Sequence, residues 1–194
     1  MTRLSQLFPL LLLAALASLT FWLSSTMQQN DEIARPMRHD PDYIIEKLTA
    51  RQMDASGNIK HTLFADHVTH YPDDDTTHLV MPRFISISSA GTPITVTAQT
   101  GRVSSRGEHI YFETKVHAER AAHGDQGKLT LETDYLEVTP DQHLARTDRP
   151  VIVTDAHTVA TAIGLELNSE TRVVTFLSQF KGIYHDPDRA ENRR

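Results

Sequence analysis

Histidine and aspartate are the residues of this chain that could do chemistry, because imidazole and carboxylate groups bind metal ions and transfer protons. Eleven histidines are present. On a strand His67 and His70 would point to opposite faces, since their spacing is odd. The chain has no H-E-x-x-H sequence and no Cys to complete a structural zinc site. We therefore interpret the group as solvated strand and turn residues and predict neither a metal site nor a cofactor. Its members are His61, Asp66, His67, His70, Asp73 and His78.

The remaining carboxylates and hydroxyls form no catalytic pattern. Asp73–Asp75 lacks the D-x-D-x-D-G spacing of a calcium loop and is interpreted as a solvated turn. Glu132 and Asp134 share one strand face, which is ordinary on an exposed face. No Ser lies in a G-x-S-x-G sequence, and there is no P-loop. The chain is therefore predicted to be non-enzymatic, with no catalytic residue.

Charge and cysteine content exclude further classes of protein. The formal net charge is −6, and the 19 Lys and Arg residues form no basic stripe. A nucleic-acid partner is excluded, because binding the repeated phosphates of a nucleic-acid backbone requires such a stripe. The absence of Cys excludes disulfides, thiolate catalysis and thiolate metal sites.

The longest apolar run lies near the N-terminus. Leu7–Leu23 contains no charged residue, and a helix of this length spans about 25 Å, close to the ~30 Å hydrocarbon core of a bilayer. Arg3 precedes the run and Asp31 follows it. This asymmetry predicts a cytoplasmic N-terminus, a single transmembrane helix within residues 1–26 and a remainder that lies outside the cytoplasm.

A cleaved signal peptide is the alternative interpretation of this run. Its apolar region is normally 7–15 residues long and is followed by small residues. Here the run is longer and ends in the bulky Phe21, Trp22 and Leu23, which favours an uncleaved anchor. Ser24–Thr26 offers small residues, so both alternatives stay open, and both export the rest of the chain.

A polar segment separates the apolar run from the strands. Residues 27–41 mix charged residues with prolines, a composition typical of an exposed linker. Tyr43–Met53 fits either a helix or a strand. Asp54–Gly57 is a turn signature, because Gly accepts positive φ.

Beyond this turn, apolar and polar residues alternate in short runs. Phe84–Ser88 and Ile94–Ala98 are two examples, and residues typical of turns bound each run. We therefore predict an all-β domain over residues 42–185, followed by a polar tail over 186–194.

The strands repeat along the chain. Val68, Val103, Leu136 and Leu165 align at spacings of 35, 33 and 29 residues, which indicates stacked supersecondary units. Each unit has a polar turn between two strand groups. We predict an elongated sandwich of repeated antiparallel strand layers, with alternate residues filling the space between two sheets. The ends would be open strand edges that favour β-augmentation by a partner.

Together these features resemble the LptC family of lipopolysaccharide export proteins, over about residues 5–184. The resemblance rests on the anchor, the linker, the layered strands and an ordered set of residues: Asp54, Gly57, Leu63, Ala65, Val68, Tyr71, Pro82, Ala98, Gly101 and Val103. Family members often have Gly at the start of the second strand group of a layer, where this chain has Lys115 and Arg149.

The resemblance implies a twisted β-jellyroll in the periplasm, anchored in the cell inner membrane by a single helix. It would accept lipopolysaccharide from an inner-membrane ABC transporter and pass it to a soluble periplasmic protein of the same fold. Acyl chains would contact seven residues: Phe84, Ile87, Val96, Phe112, Val138, Val153 and Phe176. The anchor helix and 43–64 would face the transporter permease subunits. Val173–Tyr184 would be the handover edge, with partner contacts at Val173, Val174, Phe180 and Tyr184.

Three alternatives remain open at this stage. The interior could be a plain closed core in a membrane-anchored periplasmic scaffold or interaction module. The protein could be a cleaved, soluble periplasmic chaperone with the same groove. An envelope hydrolase would require a polar cleft, of which the sequence gives no sign.

Overall fold

The fold is described from a computed structural model of the 194-residue chain. It covers residues 4–31, 39–88, 91–122, 124 and 127–185. The chain divides into two compact units, Met1–Arg38 and His39–Arg194. Residues 32–38 of the predicted linker and the predicted tail 186–194 lie outside the described residues.

The described residues of the first unit form helix α1 (Leu4–Asp31), so the first residues of the predicted linker are helical. The hydroxyls of Ser18, Thr20 and Ser25 each donate to the carbonyl four residues earlier, at 2.8–2.9 Å. In the described part of the chain, no helix combines the length and the apolar character that crossing a membrane requires. The predicted transmembrane helix is therefore not confirmed.

The described part of the second unit is all-β, as predicted, and contains eleven antiparallel strands. Tyr43–Met53, which the sequence left ambiguous, is a strand. The strands are β1 (Tyr43–Met53), β2 (Ile59–Tyr71), β3 (Thr76–Val80), β4 (Arg83–Ile87), β5 (Pro93–Thr97), β6 (Thr100–Val103), β7 (Ile110–Arg120), β8 (Leu129–Thr139), β9 (Leu144–Thr154), β10 (Thr158–Asn168) and β11 (Val173–Tyr184).

The long strands change hydrogen-bond partner halfway along their length. In β2, residues 67–71 pair with β3 and residues 61–64 pair with β4. In β7, residues 110–113 pair with β6 and residues 117–120 pair with β5. A first run therefore passes through β2, β3, β6 and β7, and a second run passes through β2, β4, β5 and β7. Each of the strands β8 to β11 belongs to both runs, because one half of the strand lies in the first run and the other half lies in the second.

Irregular backbone marks the points at which the strands change run. The register of β7 against β8 shifts between Glu113 and Val116, where Thr114 and Lys115 have φ of 65° and 53°. The register of β10 shifts at Gly164, whose φ is 80°. Such bulges bend a strand and increase its twist. Lys115 thus adopts the left-handed conformation at a position where the family resemblance expects Gly.

The core lies between the two runs. Phe112 and Leu165 of the first run are fully inaccessible, and they belong to one cluster with Val116 and Val151 of the second run. Burial of alternate residues between two facing layers is the predicted sandwich arrangement. It forms because each bent strand places its two halves in opposite layers.

The predicted repeat corresponds to every second strand of the first run. Its four apolar residues lie on β2, β6, β8 and β10 in that order: Val68, Val103, Leu136 and Leu165. Three of them are buried, and Val103 is half-buried. Each repeat therefore comprises two consecutive antiparallel strands of the first run.

The sheet has two edge strands among the described residues. β1 pairs only with β2, and β11 pairs only with β10. Both strands are largely exposed. The prediction of open edges at the two ends of the stack is confirmed for this part of the chain.

Substitution Gly164→Ala tests the bend in β10. An added Cβ would meet Leu177 Cδ1 at 2.8 Å and its Cβ at 3.1 Å, in a residue with φ of 80°. We expect the free energy of unfolding to fall by about 2 kcal/mol, from overpacking and left-handed strain together. Urea denaturation of the full chain measures the change.

Gly57→Ala is the matched control. Gly57 has φ of 85°, and nothing lies within 4 Å of an added Cβ. Gly57→Ala should lower the free energy of unfolding by about 1 kcal/mol, from left-handed backbone strain alone. Equal losses in the two variants would show that the close approach of Leu177 adds nothing to the cost of a Cβ at position 164.

Candidate functional site

An apolar cavity of about 110 Å³ lies between the two runs. Ile94 and Val96 of β5 form one wall, and Leu136 of β8 and Leu167 of β10 lie opposite. A smaller cavity of about 50 Å³ shares Ile94, Val96 and Leu167 and extends to Phe84. The sandwich is therefore incompletely packed where β5 faces β8 and β10.

Polar residues at strand ends and in loops line part of the larger cavity and form its polar rim. Ser88 and Thr92 lie between β4 and β5, Arg120 ends β7, and Ser169 and Arg172 lie between β10 and β11. The Thr92 amide donates to Ser88 Oγ at 3.1 Å. The interior is thus apolar and its rim is polar, an arrangement that suits an amphiphile.

The size of the cavity limits what it can hold without rearrangement. Sites for small molecules usually measure about 300–1,000 Å³. The larger cavity, at about 110 Å³, is below that range. A ligand with several acyl chains would require the two runs to separate at this end.

The seven predicted contact residues fall into three groups. Val96 lines both cavities, and Phe84 and Val138 line the smaller one. Phe112 and Val153 are buried in the core outside both cavities. Alternation along the strand identified the inward faces, but the cavity lies beside only some of those residues.

Ile87 does not lie in the interior, and Phe176 lies at its edge. Ile87 is 38% exposed, while Phe84 and Ser86 of the same strand line the smaller cavity. An odd spacing from Phe84 places Ile87 on the opposite face of β4, so its assignment to the inward face was wrong. Phe176 is half-buried, packs against the edge of the core and lies 5.0 Å from Phe180 between ring centroids.

Sequence reasoning missed the polar rim entirely. Its residues come from turns that are far apart in the chain and carry no periodic signal. Ile94 and Leu167 line both cavities but were not among the seven predicted contact residues. The alternation that selected Val96 could have identified Ile94, because the two are separated by two residues on β5.

The predicted partner edge is exposed along most of its length. Val173, Phe180 and Tyr184 are exposed, whereas Val174 is half-buried and lines the larger cavity. At the other end of the stack, β1 exposes Ile44.

The histidines at the start of the domain are paired with carboxylates. His70 Nδ1 lies 2.7 Å from Asp42 Oδ1, and its Nε2 lies 3.3 Å from Asp75. His39 Nδ1 lies 2.8 Å from Asp73. These hydrogen bonds raise the pKa of both imidazoles. Within the described residues, no group of three or more His, Cys, Asp or Glu side chains is arranged to hold a metal ion.

His61 differs from the other histidines. It is 4% exposed, packs against the Phe84 ring at 5.3 Å and has no hydrogen-bond partner for either ring nitrogen among the described residues. Burial lowers its pKa to about 4. The interpretation of the histidines as solvated is therefore wrong for His61, because its side chain turns into the sandwich.

The fold and the apolar interior together define a β-jellyroll-like protein, and solved structures share this architecture. One is LptH from Pseudomonas aeruginosa, described as the LptA homologous periplasmic component of the conserved lipopolysaccharide transport device. The TM-score is 0.54 at 8% sequence identity, over 65% of this chain and 95% of that chain. At this identity the likeness shows the fold alone.

The model of the family described as "Lipopolysaccharide-assembly, LptC-related" matches residues 10–185. The chain belongs to this family, and the resemblance inferred from its sequence is confirmed. No curated protein matches it.

The pair formed by His70 and Asp42 predicts that the stability of the backbone at the start of β1 depends on pH. Their hydrogen bond raises the pKa of His70 above its ordinary 6.5 and lowers the pKa of Asp42 below its ordinary 3.8. The stabilisation from each group is fully present between pH 3.8 and pH 6.5. The contribution of His70 is lost as the pH rises through its raised pKa. The contribution of Asp42 is lost as the pH falls through its lowered pKa.

Hydrogen exchange of the Asp42 amide, which donates to the His70 carbonyl at 3.2 Å, measures this effect. After correction for intrinsic exchange, protection should decrease above pH 6.5, the ordinary histidine value. His70→Gln should remove that decrease. His67→Gln, which breaks the 2.7 Å pair with Glu46 on the same strands, should retain it. An unchanged profile in His70→Gln would contradict the assignment.

Proposed function

We propose that this chain is a non-enzymatic periplasmic bridge component that takes the acyl chains of lipopolysaccharide between its two runs. The observation that carries the proposal is the apolar cavity between β5, β8 and β10, in a chain of the LptC-related family. An apolar interior with a polar rim fits a ligand that has acyl chains and a hydrophilic headgroup.

The energetic reason for such a protein is the cost of exposing acyl chains to water. Each CH₂ group kept out of water is worth about 0.8 kcal/mol, so a lipid with several chains cannot cross the periplasm unshielded. A sandwich that opens along one end can cover those chains while the sugars remain in water. The chain has no P-loop, so the energy for directional transport must come from a partner ATPase.

The two edge strands support a place between two partners. β1 would face the permease subunits of an inner-membrane ABC transporter, and β11 would pair with a soluble periplasmic protein of the same fold. Unpaired main-chain groups on both edges can extend a sheet into a neighbouring molecule. Exposed Phe180 and Tyr184 add apolar area on the β11 side.

Helix α1 would anchor the protein in the inner membrane, with the N-terminus in the cytoplasm. The uncharged run Leu7–Leu23 and the exposed apolar side chains along it, such as Leu16 and Phe21, support this assignment. Hydroxyls that donate to backbone carbonyls, as in Ser18 and Thr20, lower the cost of polar groups in lipid.

A closed-core scaffold is the second candidate function. The small volume of the larger cavity, about 110 Å³, favours it, because ligand sites are usually larger. In this alternative the edges bind partners but no lipid enters the sandwich.

Photo-crosslinking in cells separates the two functions. A crosslinking residue in place of Ile94, which lines both cavities, should capture lipopolysaccharide. The matched control is Ile152, an isoleucine of β9 that is 45% exposed outside the apolar interior, and it should capture none. Lipid adducts at both positions or at neither, in folded protein, would favour the scaffold.

Membrane anchoring is tested with charged substitutions in full-length protein. Leu16→Arg should reduce retention in carbonate-washed membranes, because a cation near the bilayer centre costs about 3 kcal/mol. Ser25→Arg lies near the end of the run, where the side chain can reach the headgroups, and should leave membrane retention unchanged. A mature protein whose mass lacks residues 1–26 would contradict the uncleaved anchor.

A further inference from the structure

Two arginines lie at the rim of the larger cavity, one on each run. Arg120 is the last residue of β7, in the part of that strand that belongs to the second run. Arg172 lies in the turn between β10 and β11, next to the part of those strands that belongs to the first run. Both line the cavity.

The guanidinium of Arg120 retains unused hydrogen-bonding capacity. Its Nη2 donates to the Gly127 carbonyl at 3.3 Å. Its Nε is shielded from solvent and has no hydrogen-bond partner among the described residues. A buried donor without a partner is costly, so an acceptor on a ligand at this position would be stabilised.

Arg172 is exposed and makes no ion pair with any described residue. Its backbone has φ of 61°, a conformation in which Gly would be less strained. Its guanidinium is therefore not neutralised by any described carboxylate and can interact with a ligand at the rim.

One carboxylate also lines the cavity, but a neighbouring cation compensates its charge. Glu119 Oε2 lies 2.9 Å from Lys128 Nζ and 3.6 Å from His117 Nε2. The two arginines are therefore left with an excess of positive charge where the apolar cavity meets the polar rim.

We propose that Arg120 and Arg172 bind phosphate groups on the headgroup of the lipid whose acyl chains enter the cavity. The proposal rests on the proposed function and adds the residues that select the headgroup. A guanidinium presents a planar fork of N–H donors that matches phosphate oxygens. Because the two arginines come from different runs, a phosphorylated headgroup bound by both would contact both runs at the rim.

The test uses the full chain in detergent and two probes, lipid A with both phosphates and the same lipid with its phosphates removed. Arg120→Gln and Arg172→Gln should each weaken binding of the phosphorylated lipid about tenfold, equivalent to one charge-assisted hydrogen bond. Binding of the dephosphorylated lipid should not change. Arg149→Gln is the matched control, since Arg149 lies outside the apolar interior and 3.5 Å from Asp148, and it should alter neither affinity.

Four outcomes would overturn the proposal. If either glutamine variant lost both lipids equally, that arginine would have a structural role. If the wild type bound both lipids equally, the arginines would not recognise phosphate, while the proposed function would stand. If both glutamine variants bound the phosphorylated lipid as tightly as the wild type, the arginines would not contact its phosphates. If the wild type bound neither lipid, the proposed function would fail as well.

Discussion

A strand has only two edges, yet β7 pairs with β5, β6 and β8, and this constraint shapes the whole β domain. The strand satisfies three partners by giving one edge to β6 along its first half and to β5 along its second half. Thr114 and Lys115 make the change possible by adopting the left-handed conformation between the halves. Without the bend, the two halves would lie in one flat sheet, and no interior would form.

The bend also explains why the interior is unevenly packed. Near the bulges the two runs are joined by continuous strands, and Phe112 and Leu165 are fully inaccessible there. Farther away, β5 faces β10 through Ile94 and Leu167, and the cavities lie there. Covalent continuity on one side and weaker packing on the other would let a sandwich open at one end.

Local patterns predicted the fold better than they predicted the site. Alternating runs such as Ile94–Ala98 and turns such as Asp54–Gly57 identify strands, because side-chain direction and φ are properties of neighbouring residues. Phe84 was correctly placed inward on this basis. Ile87 was wrongly placed inward. It is apolar, but its odd spacing from Phe84 puts it on the opposite face of β4.

The sequence by itself determined the all-β domain, the strand repeat, the edge strands and the uncharged N-terminal run, because each depends on residues close together in the chain. Only the tertiary structure decided which strand halves face each other, that His70 meets Asp42, and that Arg120 and Arg172 share one rim. These depend on strand register and on bends between residues far apart in sequence. A one-residue shift in register moves every side chain of a strand to the other face.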